Sequence, residues 1–278
     1  MSAPPPLTDR PALGRNRARA ARDPALFLHE ELAADVQERL TEVNRPFNSP
    51  AIVTPFPQVW ADVLPGARIV PDDDVLALDR GAHDLVIHAL CLHWANDPVG
   101  QLVQARLALR PDGMLIAALF GGQTLHELRA SLAEAEAAVT GGLSPRVLPM
   151  GEIRDLGGLL QRAGLALPVA DSMTRRVSYA DAFRLMADLR AMGEQNALHA
   201  RPRRFTRRAV LAEAAARYAA AFGGPDGRVT ATFETIFLTG WAAHDSQQKP
   251  LRPGSAVARL ADALGAAEMP LSATSPKG

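Results

Sequence analysis

Between His83 and Gly122 the apolar and polar positions switch from one period to another, and each switch carries a turn or cap residue. Residues 85–92 are a near-continuous apolar run of strand length, which predicts a strand buried on both faces of a parallel sheet. Asn96-Asp97-Pro98 then supplies a helix start, with Asp97 as N-cap and Pro98 at the first helical position, where a missing N–H costs nothing. Leu102, Ala105 and Leu109 share one helical face, and Arg110-Pro111-Asp112-Gly113 stops the helix. Residues 114–120 are a second buried strand. Two buried strands joined through a helix run parallel with a right-handed crossover, so the fold class is α/β.

The same periods assign the flanking elements. Leu28, Leu32, Val36 and Leu40 recur at helical spacing and predict an amphipathic helix over 26–43. Residues 50–54 read as a short strand, 58–64 as a helix ended by Pro65-Gly66, and 67–70 as a strand running into Pro71-Asp72-Asp73-Asp74. Further on, helices are predicted at 151–163, 179–192 and 206–222. Strands are predicted at 167–177 and 232–241, with Phe233, Thr235, Phe237 and Thr239 on one face of the last.

Composition narrows the class without changing it. The 278 residues are 47% hydrophobic, enough for a core, and 30 basic residues balance 30 acidic ones, so no global field draws the chain to nucleic acid or membrane. The charge is polarised only in residues 1–24, where Pro4-Pro5-Pro6 and Arg10, Arg15, Arg17, Arg19 and Arg22 predict a mobile basic arm. An exposed arm or surface helix, a nucleic-acid or anionic-partner contact and a mitochondrial-type presequence all have this composition. The single cysteine, Cys91, excludes a disulfide framework and fits a core thiol in a reducing compartment. No apolar stretch approaches the roughly 20 residues of a membrane span, and a cytoplasmic protein is expected. Residues 257–278 are expected to be a disordered tail.

Open α/β sheets bind ligands at the carboxyl ends of their strands. His93 and Trp94 fall there after the first buried strand. Gly121, Gly122, Gln123 and Thr124 fall there after the second, where glycines admit close backbone approach and Gln123 or Thr124 can cap the next helix. Arg129, on that helix, either joins a surface ion-pair face with His126 and Glu127 or grips an acidic partner. Asp72 and Asp73 end the short strand at 67–70, where carboxylates accept from ribose hydroxyls or an amine. The first turn, Thr54-Pro55-Phe56-Pro57, has no glycine and two residues without an N–H, so it makes a poor phosphate or dinucleotide cradle. His83, His88 and His93 recur every five residues, but on a strand His88 points away from the other two, and no metal site is assigned.

Longer segments carry a family likeness. LCLHWANDP (90–98), LRPDG (109–113), AALFGGQTLHELRASL (117–132), GGLSPRVLPMGEIRDLGGLLQRAGL (141–165), RLMADLRAMGEQNA (184–197) and GWAAHDSQQKPLRPGSA (240–256) resemble the respiratory complex I (NADH:ubiquinone oxidoreductase) assembly factor 5 family. That family is a branch of the class I S-adenosylmethionine-dependent methyltransferases, related to the carrier-protein methyltransferase of biotin synthesis, and the composition resembles an alphaproteobacterial-type member. The resemblance implies a Rossmann-like sheet over 25–256, a helical cap at about 178–225, and Met186, Leu189, Met192 and Glu194-Gln195-Asn196 facing a pocket. It also implies S-adenosylmethionine near Asp72, Asp73, His93 and Trp94, and a protein substrate, a complex I subunit, at Gly121 to Thr124 and Arg129. The family's glycine-rich first loop is absent, and about one βα unit is missing before residue 71. A sheet shortened in its N-terminal half follows. So do two functions, a modifying enzyme and a catalytically inactive assembly scaffold, with no residue assigned a catalytic role.

Overall fold

A computed structural model describes residues 5–247, and the tail expected at 257–278 lies outside them. One six-stranded sheet forms the centre. Its strands are β1 (Pro50–Val53), β2 (Arg68–Val70), β3 (His83–Ala89), β4 (Leu109–Phe120), β5 (Ala166–Tyr179) and β6 (Val229–Trp241), in the order β2-β1-β3-β4-β6-β5. The first four pair in parallel, and β6 runs antiparallel between β4 and β5. Helices cover both faces, the Rossmann-like arrangement the resemblance implies.

The shortening lies between β1 and β2. Residues 54–67 hold a 3₁₀ turn, Pro57–Val59, where a helix over 58–64 is predicted. Pro55 and Pro57 offer no N–H, and Phe56 and Trp60 are drawn into the core, so the segment turns back too early to make a helix. β2 consequently lies directly beside β1, with Ile52 opposite Ile69 and Thr54 N–H donating to Val70 O at 3.0 Å.

Alternate residues of the central strands serve opposite layers. Leu85, Ile87 and Ala89 face a core built with α2 (Phe27–Val43), α4 (His126–Thr140), α6 (Ala182–Ala191) and α7 (Arg208–Phe222). Val86 faces α3 (Pro98–Ala108) and α5 (Ile153–Arg162). Helix α3 starts as predicted, with Asp97 Oδ1 accepting the Gly100 N–H at 2.8 Å and Pro98 in the first turn.

The basic arm departs from expectation. Residues Arg10–Ala20 form a docked helix, α1, whose first turn is capped by Asp9 through the Ala12 N–H at 3.0 Å. Ala12, Leu13, Asn16 and Ala20 are buried, and Leu13 packs in a small core with Trp94, Leu148, Ala197 and Leu198. The apolar positions between the arginines give the segment a face to bury, which its overall composition conceals.

His88 points toward α3, where its Nε2 lies 3.2 Å from Gln101 Oε1. Gln101 Nε2 in turn donates to the carbonyls of Asp73 (2.7 Å) and Asp74 (3.2 Å), so this chain of bonds ties β3 to the loop after β2. The Cys91 sulfur, 3.3 Å from His88 Nδ1, is buried, and burial pushes its thiol well above the ordinary range. His29 of α2 is also buried, edge-on to Phe56. Burial lowers both His29 and His88 to about 4. A group whose pKa is depressed in the fold stabilises it above the unfolded value and loses that contribution as pH falls. Urea unfolding is therefore expected to show stability declining between about pH 6.5 and about pH 4. His88→Gln, which cannot charge, is expected to flatten that decline, and an unchanged slope in the variant would refute the assignment.

Candidate functional site

The sheet order reverses direction beside β1, since the chain steps outward to β2 and then returns to β3. That switch point is where an open α/β sheet leaves a crevice. Phe56 after β1, Asp72 after β2, and His93 and Trp94 on the 3₁₀ turn Leu92–Trp94 after β3 converge on it. Two arginines of α1 reach into the crevice. Arg17 Nη1 lies 2.6 Å from Asp72 Oδ1, Arg10 Nη1 3.2 Å from Oδ2, and Arg10 Nη2 bonds the Asp72 carbonyl. Burial alone would raise the Asp72 carboxyl, but these guanidinium groups outweigh it and hold the pKa below the usual range. Asp73 contributes its backbone carbonyl to Gln101, and its side chain faces out.

At the edge where the resemblance places S-adenosylmethionine, protein side chains narrow the crevice. Each Asp72 oxygen already accepts from an arginine, Oδ1 from Arg17 and Oδ2 from Arg10. Buried Phe56 and Trp60 take up the room at the first turn, and His29 closes over Phe56 with ring centres 4.9 Å apart. Buried polar atoms without a protein partner there include Arg17 Nε and Nη2 and Trp60 Nε1, donors that a ligand acceptor would satisfy, and His29 Nδ1 and His93 Nδ1, which donate or accept according to tautomer.

His93 and Trp94 both reach Glu194. Trp94 Nε1 donates to Glu194 Oε2 at 2.7 Å, and His93 Nε2 lies 3.2 Å from the same oxygen. Burial acts to raise the Glu194 pKa. The charge and hydrogen bond of His93, the charge of Arg17 and the Trp94 N–H together overcome it, so the carboxylate stays ionised. No hydrogen bond among the described residues falls on Oε1, which leaves it for a ligand.

Glu194 lines a pocket of about 250 Å³ walled by Trp94, Phe120, Leu125, Leu128 and Phe233. Thr124, Met186, Leu189, Gln195 and Asn196 also line it, with Arg190 exposed at the rim. The helical-cap segment thus faces a pocket as the resemblance implies, except that Met192 packs into the core. Phe120 and Phe233 were not singled out from sequence. Their strand positions mark them only as core, and nothing local shows that β4 and β6 end at one cavity.

The glycine turn is used differently from expectation. Gly121 N–H donates to Glu234 O at 2.9 Å, Gly122 N–H to Gly151 O at 3.1 Å, and Gln123 N–H to Glu234 Oε2 at 2.9 Å. A Cβ on Gly121 would meet Glu234 Oε2 at 2.5 Å, and one on Gly122 would strike Glu152. These glycines make room for neighbouring side chains, and their N–H groups are spent within the fold. Thr124 Oγ1 bonds Glu234 O at 3.0 Å and caps no helix, since Leu125 stands at the N-cap of α4. Arg129 braces the turn through the Thr124 carbonyl at 3.2 Å. Glu127, read as a surface residue, is buried and accepts from Thr232. Among the described residues no group of three His, Cys, Asp or Glu side chains is placed to hold a metal, and no helix is long and apolar enough to cross a membrane.

No family model matches the chain. It is 40% identical over 199 residues to the arginine-hydroxylase NDUFAF5, mitochondrial, of Danio rerio, a match covering 72% of this chain and 62% of that protein. To the malonyl-[acyl-carrier protein] O-methyltransferase of Halorhodospira halophila it is 35% identical over 181 residues, covering 65% and 59% respectively. A putative methyltransferase from Bacillus halodurans superposes with a TM-score of 0.47 at 12% identity, covering 75% of this chain and 99% of that one. The chain thus spans about three fifths of the length of these curated relatives. With its Rossmann-like sheet and the level of identity over most of its described length, the chain belongs to the NDUFAF5 family of methyltransferase-like proteins.

Proposed function

We propose that this protein serves the assembly of respiratory complex I by holding an arginine-bearing segment of a complex I subunit in the Trp94–Glu194 pocket, where the family's modification would take place. What supports the reading is Glu194: an ionised carboxylate with one oxygen uncommitted, at the wall of a cavity lined mainly by apolar and aromatic side chains, with Thr124, Gln195, Asn196, Arg146 and Arg190 as its other polar lining. A guanidinium has the complementary charge, presents paired donors to a carboxylate, and stacks on aromatic faces such as Trp94 and Phe120. Its alkyl stem suits Leu125 and Leu128. Arginine is also the residue named in the activity of the NDUFAF5 relatives.

The second reading is a scaffold that binds the same segment without chemistry, favoured by the Arg10–Asp72–Arg17 clasp at the cofactor edge.

Two measurements test these readings. Glu194→Gln is expected to weaken binding of an arginine-containing peptide about tenfold or more, the range for a charged hydrogen bond, and to leave a citrulline-containing counterpart unchanged. Equal loss for both peptides would sink the guanidinium assignment. In calorimetry, S-adenosylmethionine at millimolar concentration is expected to release no heat on the intact chain. Micromolar binding that disappears in Asp72→Ala would instead establish a cofactor-dependent modifying enzyme.

A further inference from the structure

Helix α1 divides its arginines between two jobs. Arg10 and Arg17, two turns apart, face inward onto Asp72, whereas Arg15 and Arg19, one turn apart, face solvent. Outside, they meet the segment Arg201-Pro202-Arg203-Arg204-Phe205. Together these form a groove of about 420 Å³ lined by Arg15, Arg19, Arg201, Arg203, Arg204 and Phe205. Asp9 pairs with both Arg203 and Arg201, at 2.7 and 3.0 Å, and balances one of their two charges. Arg15, Arg19 and Arg204 make no ion pair among the described residues. The chain as a whole is neutral, so this concentration is local.

Like charges one helical turn apart destabilise a free helix, and a fully exposed phenylalanine gains nothing from water. Both features become favourable when a partner covers them, and arginine and aromatic residues are the side chains enriched in interfaces. We infer that this groove is a docking site for an acidic polypeptide segment. Asn196 lines both the groove and the Glu194 pocket, so the two cavities adjoin at this residue. The inference deepens the proposed function, on which the placement of a substrate arginine rests, by giving that arginine acidic neighbours. A protein segment suits the groove better than nucleic acid. Its guanidinium groups close on one concave site a few residues long, whereas duplex phosphates need a charged track along the backbone.

A fluorescein-labelled hexaglutamate peptide, which contains no arginine, reads the groove independently of Glu194. Anisotropy with the full chain is expected to show salt-sensitive binding that weakens about tenfold or more in Arg15→Glu/Arg19→Glu, as for charge reversal across complementary surfaces. Arg204→Glu, in the loop and away from α1, is expected to act in the same direction, which separates lost contacts from an undocked helix. Binding undiminished in both variants would overturn the inference. So would duplex DNA or anionic phospholipid vesicles binding more tightly than the peptide, which would assign the arginines to phosphate. If hexaglutamate binds as expected but arginine peptides ignore Glu194→Gln, the groove stands and the pocket reading falls.

Discussion

The guanidinium of Arg17 bonds the buried Asp72 carboxylate at 2.6 Å and also lies in the field of the buried Glu194, so one cation is coupled to the sheet edge and to the pocket wall. Removing one member of a buried pair costs about 3–5 kcal/mol, because the remaining charge stays desolvated. Helix α1 is docked by this charge and by Leu13, the end of β2 is pinned through Asp72, and Glu194 keeps its ionised form partly through the same cation. The clasp thus couples the N-terminal helix, the sheet edge and the pocket wall.

The clasp is possible because the sheet is short. With no full helix between β1 and β2, β2 lies beside β1, and Asp72 emerges at the switch point close to β3. Phe56 and Trp60 fill the turn that a glycine-rich loop would leave open, and α1 covers the remainder. Room for a ligand is found instead beneath the helical cap, where Trp94, Phe120 and Phe233 meet Glu194. The carboxyl edge of the sheet is therefore divided, with the Arg10–Asp72–Arg17 ion pairs on one side and the pocket beside Glu194 on the other.

Glycines in the turn after β4 illustrate how a correct signal can carry the wrong cause. Gly121 and Gly122 do mark a close approach, but what approaches is Glu234 and Glu152. A missing Cβ states only that space is needed, and the identity of the neighbour depends on β6 and the loop before α5. His93 and Trp94 were legible as edge residues because they follow an apolar strand directly. Their partner Glu194, 100 residues beyond Trp94, was reached only through the family likeness of its segment.

By itself the sequence determined the elements whose signals are local. These are the β3–α3–β4 unit with its Asp97 cap, the amphipathic α2 and cap helices, and the proline-containing turn after β1. Each depends on periodicity or on hydrogen bonds spanning a turn or less, and so it is written in neighbouring residues. Tertiary structure alone decided that the basic arm is a docked helix, that Asp72 belongs to Arg17 and Arg10, and that Glu194 closes on Trp94. A charged side chain selects its partner by proximity after the strands have been ordered, and strand order brings together residues that are 55 to 100 positions apart in the chain.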